Sequence, residues 1–513
     1  MSTPEGEGEG EDSVATGDTA QKDGRTRNRH PRGLLTLWNV EMWERFSFYG
    51  MRAILVLFLA APEDQGGLGL APHIAAAVFG IYGALVNLLA LPGGWLADRL
   101  WGSYRAVLWG GVFITAGHGT LALPSGSAAT YLGLLLVAAG TGMLKPSIST
   151  MVGRLYDREQ DAAERDASRR DAGFSLFYMG ISVGAFAAPL ITGYLGERID
   201  WHAGFGAAAV GMLIGLLVCV RGGRRLPAVT REQARTAEPA ELRRMLGLCA
   251  AAVAFVVLLC LGLVALWGMS FTKGVIQAVT ALTVLIPLVY FVTMFRTAGL
   301  DRVDRSRLRA YIWIFLAASM FWVIAEQGGS LVSLFARDHV DRYLFGWEFP
   351  TSWFQSLGPF YSILLAGSFA ALWIRMGTRQ PSTAAKFAIG LGGLGVATLI
   401  MAGAGVAAAG GERISPMWLL MAFLVQIMAE MCLSPTGLSV TTRLAPPRFA
   451  NQLMSLWFLS VAMGSALSSQ VVRLGTVWSL GTYFAVLGCA ALACAGAVAV
   501  SRKRLSRLMR GVT

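Results

Sequence analysis

Fourteen apolar runs follow one another along the chain, at roughly 34–60, 73–97, 104–122, 129–153, 172–195, 203–221, 246–267, 273–295, 310–336, 351–376, 384–409, 416–441, 449–472 and 477–500. As a helix, each is long enough to cross a hydrocarbon core of about 30 Å. A closed barrel is the other way to satisfy backbone groups in lipid, but it requires alternating strands of about ten residues, and none is evident. The pattern therefore predicts an all-α polytopic membrane protein. Composition agrees: 55% of the 513 residues are hydrophobic and 14% charged, with a mean hydropathy of +0.55, outside the soluble globular range.

The joints set the topology. Arg and Lys gather in Lys22 to Arg32, in 154–170, 221–244 and 296–309, near Arg375 and Arg443, and in Arg502-Lys503-Arg504, while the joints near 61–72, 123–128, 268–272 and 410–415 carry almost none. This is the positive-inside pattern. It predicts a multi-pass plasma-membrane protein with an even number of spans and both termini in the cytoplasm. The net charge of +12 is thereby assigned to loops facing the lipid bilayer, and no nucleic-acid partner is expected. Residues 1–20 are acidic and Gly-rich and should be disordered. The first span is too long for a cleavable signal.

Six cysteines lack metal or disulfide spacing, and no Walker motif occurs. The chain is expected to be no enzyme, with no catalytic residues, metal or cofactor; protons are the coupling ion and no obligate protein partner is evident. His118, alone in the third span, is read as a packing residue.

The basic segments 221–244 and 296–309 flank a helical pair, about 246–295. The expected domains are a tail (1–32), an N-terminal six-helix bundle (33–222), a linker with the inserted pair (223–308), a C-terminal six-helix bundle (309–501) and a basic tail (502–513). Six plus six spans with a long central joint resembles the major facilitator superfamily, whose halves pack around a midplane cavity. Gly93-Gly-Trp-Leu-Ala-Asp98-Arg99-Leu-Trp-Gly102-Ser-Tyr-Arg105 resembles that superfamily's loop motif. Its Asp98 and Arg99 are read as a latch between helix ends.

Ionisable residues inside the spans are the candidate chemistry, because charge in hydrocarbon is expensive and marks pathways. Glu41, Arg45 and Arg52 lie on one face of the first helix with Glu44 at its edge. Later spans add Lys145, Glu326 and Glu430. At about 1.5 Å of rise per residue, Arg52 and Glu326 stand roughly 25 Å above the inner ends of their helices, and Lys145 and Glu430 lie toward the inside. Matched depth makes Arg52–Glu326 a candidate outer gate and Lys145–Glu430 a candidate inner gate. Four acids face three bases, so one carboxylate should hold a proton whenever the site closes dry. Static pinning of helices is the alternative, though buried ion pairs are weak stabilisers.

These residues resemble the proton-dependent oligopeptide transporter family over about 34–500. The matching motifs are Glu41-x-x-Glu44-Arg45-Phe46 continuing through Tyr49 to Arg52, Gly140-Thr-Gly-Met-Leu-Lys145-Pro146, Phe177-Tyr178-Met-Gly-Ile-Ser182-Val-Gly184 followed by Trp201-His-Ala-Gly204-Phe205, Phe321-Trp322-Val-Ile-Ala-Glu326-Gln327, Glu430-Met-Cys-Leu-Ser434-Pro435, and Trp457-Phe458-Leu459-Ser460. The resemblance implies proton coupling at Glu41, Glu44, Arg45 and Glu326. It implies substrate binding by Arg52, Lys145, Glu430, Tyr49, Tyr82, Ser182, Trp322, Trp457 and Ser460. Three positions depart from the family's habit: Phe48 stands for Tyr, and Ser182 and Gly358 for Asn. Each loses a polar group that would bond a peptide. The expected activity is proton-coupled import of di- and tripeptides, or peptide-like compounds, by alternating access. The alternatives are a proton-coupled exporter or antiporter of a modified peptide or drug, and a non-transporting sensor using the cytoplasmic tail.

Overall fold

The computed structural model describes residues 31–124, 126–156, 163–223, 226, 238–446 and 449–510. The acidic tail and its expected disorder lie outside the described residues, as do parts of the basic joints 154–170 and 221–244.

Among the described residues, fourteen helices have 19 residues or more: α1 (Arg32–Ala60), α2 (Pro72–Leu96), α3 (Ser103–Leu121), α4 (Gly126–Tyr156), α5 (Ala163–Arg198), α6 (Trp201–Gly222), α7 (Pro239–Trp267), α8 (Phe271–Arg296), α9 (Arg302–Ala325), α11 (Leu357–Met376), α12 (Thr383–Ala407), α13 (Met417–Leu444), α14 (Ala450–Val471) and α15 (Leu480–Val500). Between α9 and α11 lie the short α10 (Leu331–His339) and a hairpin of β1 (Tyr343–Leu344) and β2 (Trp347–Glu348). The amphipathic α16 (Arg502–Met509) ends the described chain.

Local chemistry sets the boundaries. Pro62 forces Ala61 into an extended conformation and ends α1. Asp200 caps α6 by accepting from the backbone N–H groups of His202 and Ala203. Twelve spans are long and apolar enough to cross a membrane, α9 and α10 sharing one. The two long helices outside that set are α1, weighted by its charges, and α3, where Arg105, His118 and four glycines dilute the apolar residues.

Without a hydrophobic force between helices in lipid, close packing depends on small residues. A Cβ on Gly110 of α3 would sit 2.7 Å from the Gly140 carbonyl oxygen of α4, and one on Gly405 of α12 would sit 2.6 Å from the Gly481 nitrogen of α15. Helices α1–α6 form one lobe; α9 and α11–α15 form the other. The lobes meet where α2 packs on α14 and where α5 packs on α11 and its lead-in turn, 351–356. At the first contact, a Cβ on Gly80 would be 2.8 Å from the Ser465 carbonyl oxygen.

The inserted pair stands outside this ring. Its α8 packs on α2 and α14, and Gln470 of α14 both accepts from Gln277 (3.0 Å) and donates to Thr280 (2.8 Å) of α8. Only Cys260 of α7 is buried. Among the described residues, the start of α9 meets α16 through the Ser306 Oγ–Leu508 O bond (2.8 Å), on the side where α1 begins, called here the terminal face.

One expected helix is broken. The run 310–336 stops as an α-helix at Ala325, passes through a 3-10 turn at Glu326–Gly329, and resumes as α10. Gly328 and Gly329 weaken the helix there, and the buried carbonyl of Gly328, freed from the helix, accepts from Gln355 Nε2 (2.7 Å) and Ser333 Oγ (3.1 Å). A broken membrane helix needs such partners.

Candidate functional site: a charged vestibule between the lobes

The break puts Glu326 opposite α1. Arg52 Nη2 donates to Glu326 Oε2 at 2.7 Å, joining the lobes toward the face away from the termini. The Arg52 guanidinium lies 4.6 Å from the ring centre of Phe79 and 5.6 Å from that of Phe48. A Cβ on Gly329 would meet Phe79 Cζ at 2.4 Å, so α2 and the broken helix are in full contact around this pair. Gly83 makes room for it: a Cβ there would lie 3.5 Å from Glu326 Oε2. Behind the pair, Gln327 Nε2 donates to Ser468 Oγ at 2.7 Å.

One turn and more toward the terminal face, Arg45 Nε is 3.0 Å from Glu41 Oε1 and 2.5 Å from Glu44 Oε2. All three side chains are buried, Glu44 completely. One guanidinium serves two carboxylates, and Glu41 Oε2 and Glu44 Oε1 accept no hydrogen bond. Phe48 lies 5.4 Å from the Arg45 guanidinium as well, and so stands between the two arginines.

Lys145 and Glu430 form no ion pair among the described residues. Lys145 Nζ lies 5.6 Å from the ring centre of Phe458. The expected inner gate is therefore not made in this conformation. The reason is visible in the packing: the lobes touch through α2–α14 and α5–α11, and α1 and α2 touch α10, whereas α4 has no comparable packing on α13 or α14. Among the described residues, the packing between the lobes therefore lies toward the far face.

The remaining expected residues separate into two groups. Tyr49 packs edge-on against Phe48 at 5.3 Å. Tyr82 is buried with its hydroxyl unbonded, and Trp322 Nε1 also lacks a hydrogen-bond partner. Ser182 donates to its own helix, at Tyr178 O, 3.4 Å. Ser460 is wholly buried and donates to Trp457 O at 2.6 Å, so its hydroxyl is not presented to the vestibule. Trp457 packs over Gly437, where a Cβ would meet its ring at 2.0 Å. A Cβ at Gly358 would meet only Ile427 Cδ1, at 3.8 Å, leaving open space on that wall. In the loop motif, Arg99 reaches Glu241 of α7 at 3.5 Å, so it ties the lobe to the inserted pair. His118 is buried with neither ring nitrogen bonded.

Phe79, Gln327 and Ser468 belong to this constellation and were not singled out from sequence; Phe48 was noted there only as a departure from tyrosine. Only Phe48 carried a signal, as an aromatic residue within one helical turn of Arg45 and Arg52; Phe79 has no charged residue within a turn.

The arrangement has counterparts in known proteins. The sequence profile of the POT family matches residues 104–486. The chain is 42% identical over 488 residues to a protein of Bacillus subtilis (strain 168) named uncharacterized transporter YclF, covering 94% of this chain and 96% of the relative. It is 39% identical over 492 residues to a di-/tripeptide transporter of Lactococcus lactis subsp. cremoris, covering 94% and 97%. Its fold superposes with a TM-score of 0.85 on the crystal structure of a mutant of peptide transporter POT in complex with alafosfalin, at 41% identity and coverage of 94% and 96%. These relatives are transporters, not enzymes, and share the fold of the major facilitator superfamily. The chain belongs to the proton-dependent oligopeptide transporter (POT) family.

Proposed function

We propose that the protein is a proton-coupled symporter that imports short peptides and peptide-like compounds by alternating access. The observation that carries this reading is the vestibule between the lobes, shut on one face by Arg52–Glu326 and holding Lys145 and Glu430 unpaired. An ammonium and a carboxylate left without each other in a half-wet cavity suit a zwitterion, whose carboxylate and amino termini complement them. The relatives named for di- and tripeptides and for alafosfalin support the same class. Positive joints on the terminal face support a cytoplasmic orientation for it, so the packed far face is the outward one and substrate leaves toward the termini.

The proton enters the argument through charge balance. With Glu41, Glu44, Glu326 and Glu430 facing only Arg45, Arg52 and Lys145, one negative charge exceeds the positive charge at hand when the vestibule closes. A buried excess charge is removed most cheaply by a proton. Loading one carboxylate frees Arg45 from one partner, and Lys145 becomes free to meet Glu430. Closure of the terminal face is thereby tied to proton arrival. Glu326 gives the outer step in the same way: protonated, it releases Arg52.

The open wall at Gly358 and the self-bonded Ser182 support a preference for ligands that do not need an amide partner there, such as modified peptides. An exporter of such compounds is the rival reading. Counterflow in proteoliposomes decides: dialanine and trialanine should exchange with labelled dialanine. If neither exchanges nor competes, the importer reading is wrong.

A further inference from the structure

The far end of α5 holds a second set of bonds between the lobes, separate from Arg52–Glu326. Glu197 Oε2 accepts from the backbone N–H of Thr351 at 2.7 Å, and Oε1 accepts from that of Ser352 at 2.8 Å. These are the first amides of the 3-10 turn that leads into α11, and the turn has no side-chain cap of its own. A carboxylate from the N-terminal lobe therefore caps a helix of the C-terminal lobe, where unpaired N–H groups and the helix dipole favour negative charge.

The neighbouring Arg198 makes the reciprocal contact. It donates to the Glu348 carbonyl oxygen and lies 3.5 Å from Glu348 Oε2. Glu348 is the hub of its own lobe, taking Arg342 Nη2 at 2.7 Å and Arg413 Nη1 at 3.4 Å. Two more bonds lie deeper along α5: Trp353 Nε1 donates to Leu190 O (3.1 Å) and Ser356 Oγ to Phe186 O (2.8 Å). A Cβ on Gly193 would collide with Ser352 Oγ, so the lobes are in direct contact here.

We propose that Glu197 and Arg198 form a rim latch that holds the far face shut, with Glu197 the positioning residue whose release of Thr351 and Ser352 accompanies opening. This rests on the reading of the protein as an alternating-access transporter. Arg52–Glu326 answers to protonation inside the vestibule; the rim latch does not touch the vestibule and sets how much work that answer must do. Its charged cap sits at the mouth, where water can replace the carboxylate's partners as the lobes part.

The test uses the full chain, with native cysteines replaced and spin labels at Asp64→Cys and Glu412→Cys, both exposed in far-face loops of opposite lobes. Electron–electron distances are measured in nanodiscs, without peptide. Glu197→Gln, which turns an amide toward one of the two N–H donors, should raise the long-distance, far-open fraction by about threefold or more, the factor expected from one lost hydrogen bond. Glu197→Asp should restore most of the short-distance population. Thr351→Pro removes one accepted N–H at a position where proline suits a helix start, and it should raise the same fraction. Combined with Glu197→Gln it should add less than the sum. A purely structural role would lower the thermal midpoint and leave the distances unmoved; unchanged distances in both single variants overturn the proposal. Because no substrate enters, a shift in distances with no dialanine exchange would refute the peptide reading and leave the latch standing.

Discussion

Phe48 is the residue where an apparent loss becomes a use. A tyrosine there would add a hydroxyl to the vestibule, but the bare ring lies 5.4 Å from the Arg45 guanidinium and 5.6 Å from that of Arg52. A desolvated cation–π contact is worth about 2 kcal/mol. Phe48→Leu should therefore lower proton-driven dipeptide uptake about thirtyfold, while Phe48→Tyr keeps most of it; initial uptake rates in proteoliposomes check this. Ser460 runs the other way. A hydroxyl inside a helix defaults to a carbonyl of its own backbone, as this one does at 2.6 Å. Ser460→Ala should leave dipeptide affinity within about twofold, measured by competition. The charged residues were legible in the sequence because an apolar slab makes any charge conspicuous. Their aromatic partners were not, since a phenylalanine near a charge packs against lipid as readily as against a guanidinium.

Among the elements, the broken helix decides the most. Hydropathy counts apolar residues and cannot register a change of hydrogen-bond period, so 310–336 reads as one span. The structure turns at Glu326–Gly329 and aims Glu326 at Arg52. Gly328 and Gly329 were in view, but their meaning depends on Gln355 and Ser333 arriving from elsewhere to satisfy the freed carbonyl. Gly329 also admits the Phe79 ring that lies against Arg52. Gly329→Ala should push that ring aside and destabilise the far-closed state by about 1 kcal/mol, seen as a larger far-open fraction in the same spin-label distances. The α2–α14 crossing is tighter still. Gly80→Val should lower the thermal midpoint of the detergent-solubilised protein by several degrees, because its neighbour is the Ser465 backbone and cannot yield.

At the scale of the whole molecule, counting spans and basic joints was enough for two six-helix lobes with a pair between them, because membrane thickness fixes helix length. The conformation was not legible. Matched depth suggested both an Arg52–Glu326 and a Lys145–Glu430 pair, and only the coordinates show that the first is made and the second is not. The inserted pair touches the lobes through α8, where Gln277 and Thr280 bond Gln470 and Phe291 packs edge-on against Phe315, and through the Glu241–Arg99 ion pair of α7, whose remaining length faces outward. Replacing 238–300 by a short flexible linker should therefore preserve dialanine counterflow at more than about a tenth of the intact rate, since α6 ends and α9 begins on one face. Loss of all exchange in a well-folded deletion would give the pair a part in the cycle itself.

The central claim is that peptide and proton cross together because Glu41, Arg45 and Glu44 cannot be sealed with their charge unbalanced. Vesicles containing a pH-sensitive dye test it directly when an inward dialanine gradient is imposed with no pH gradient. The intact protein should acidify the lumen, while Glu41→Gln and Glu44→Gln should still exchange labelled dialanine without acidification. Acidification at the intact rate in both variants would contradict the account.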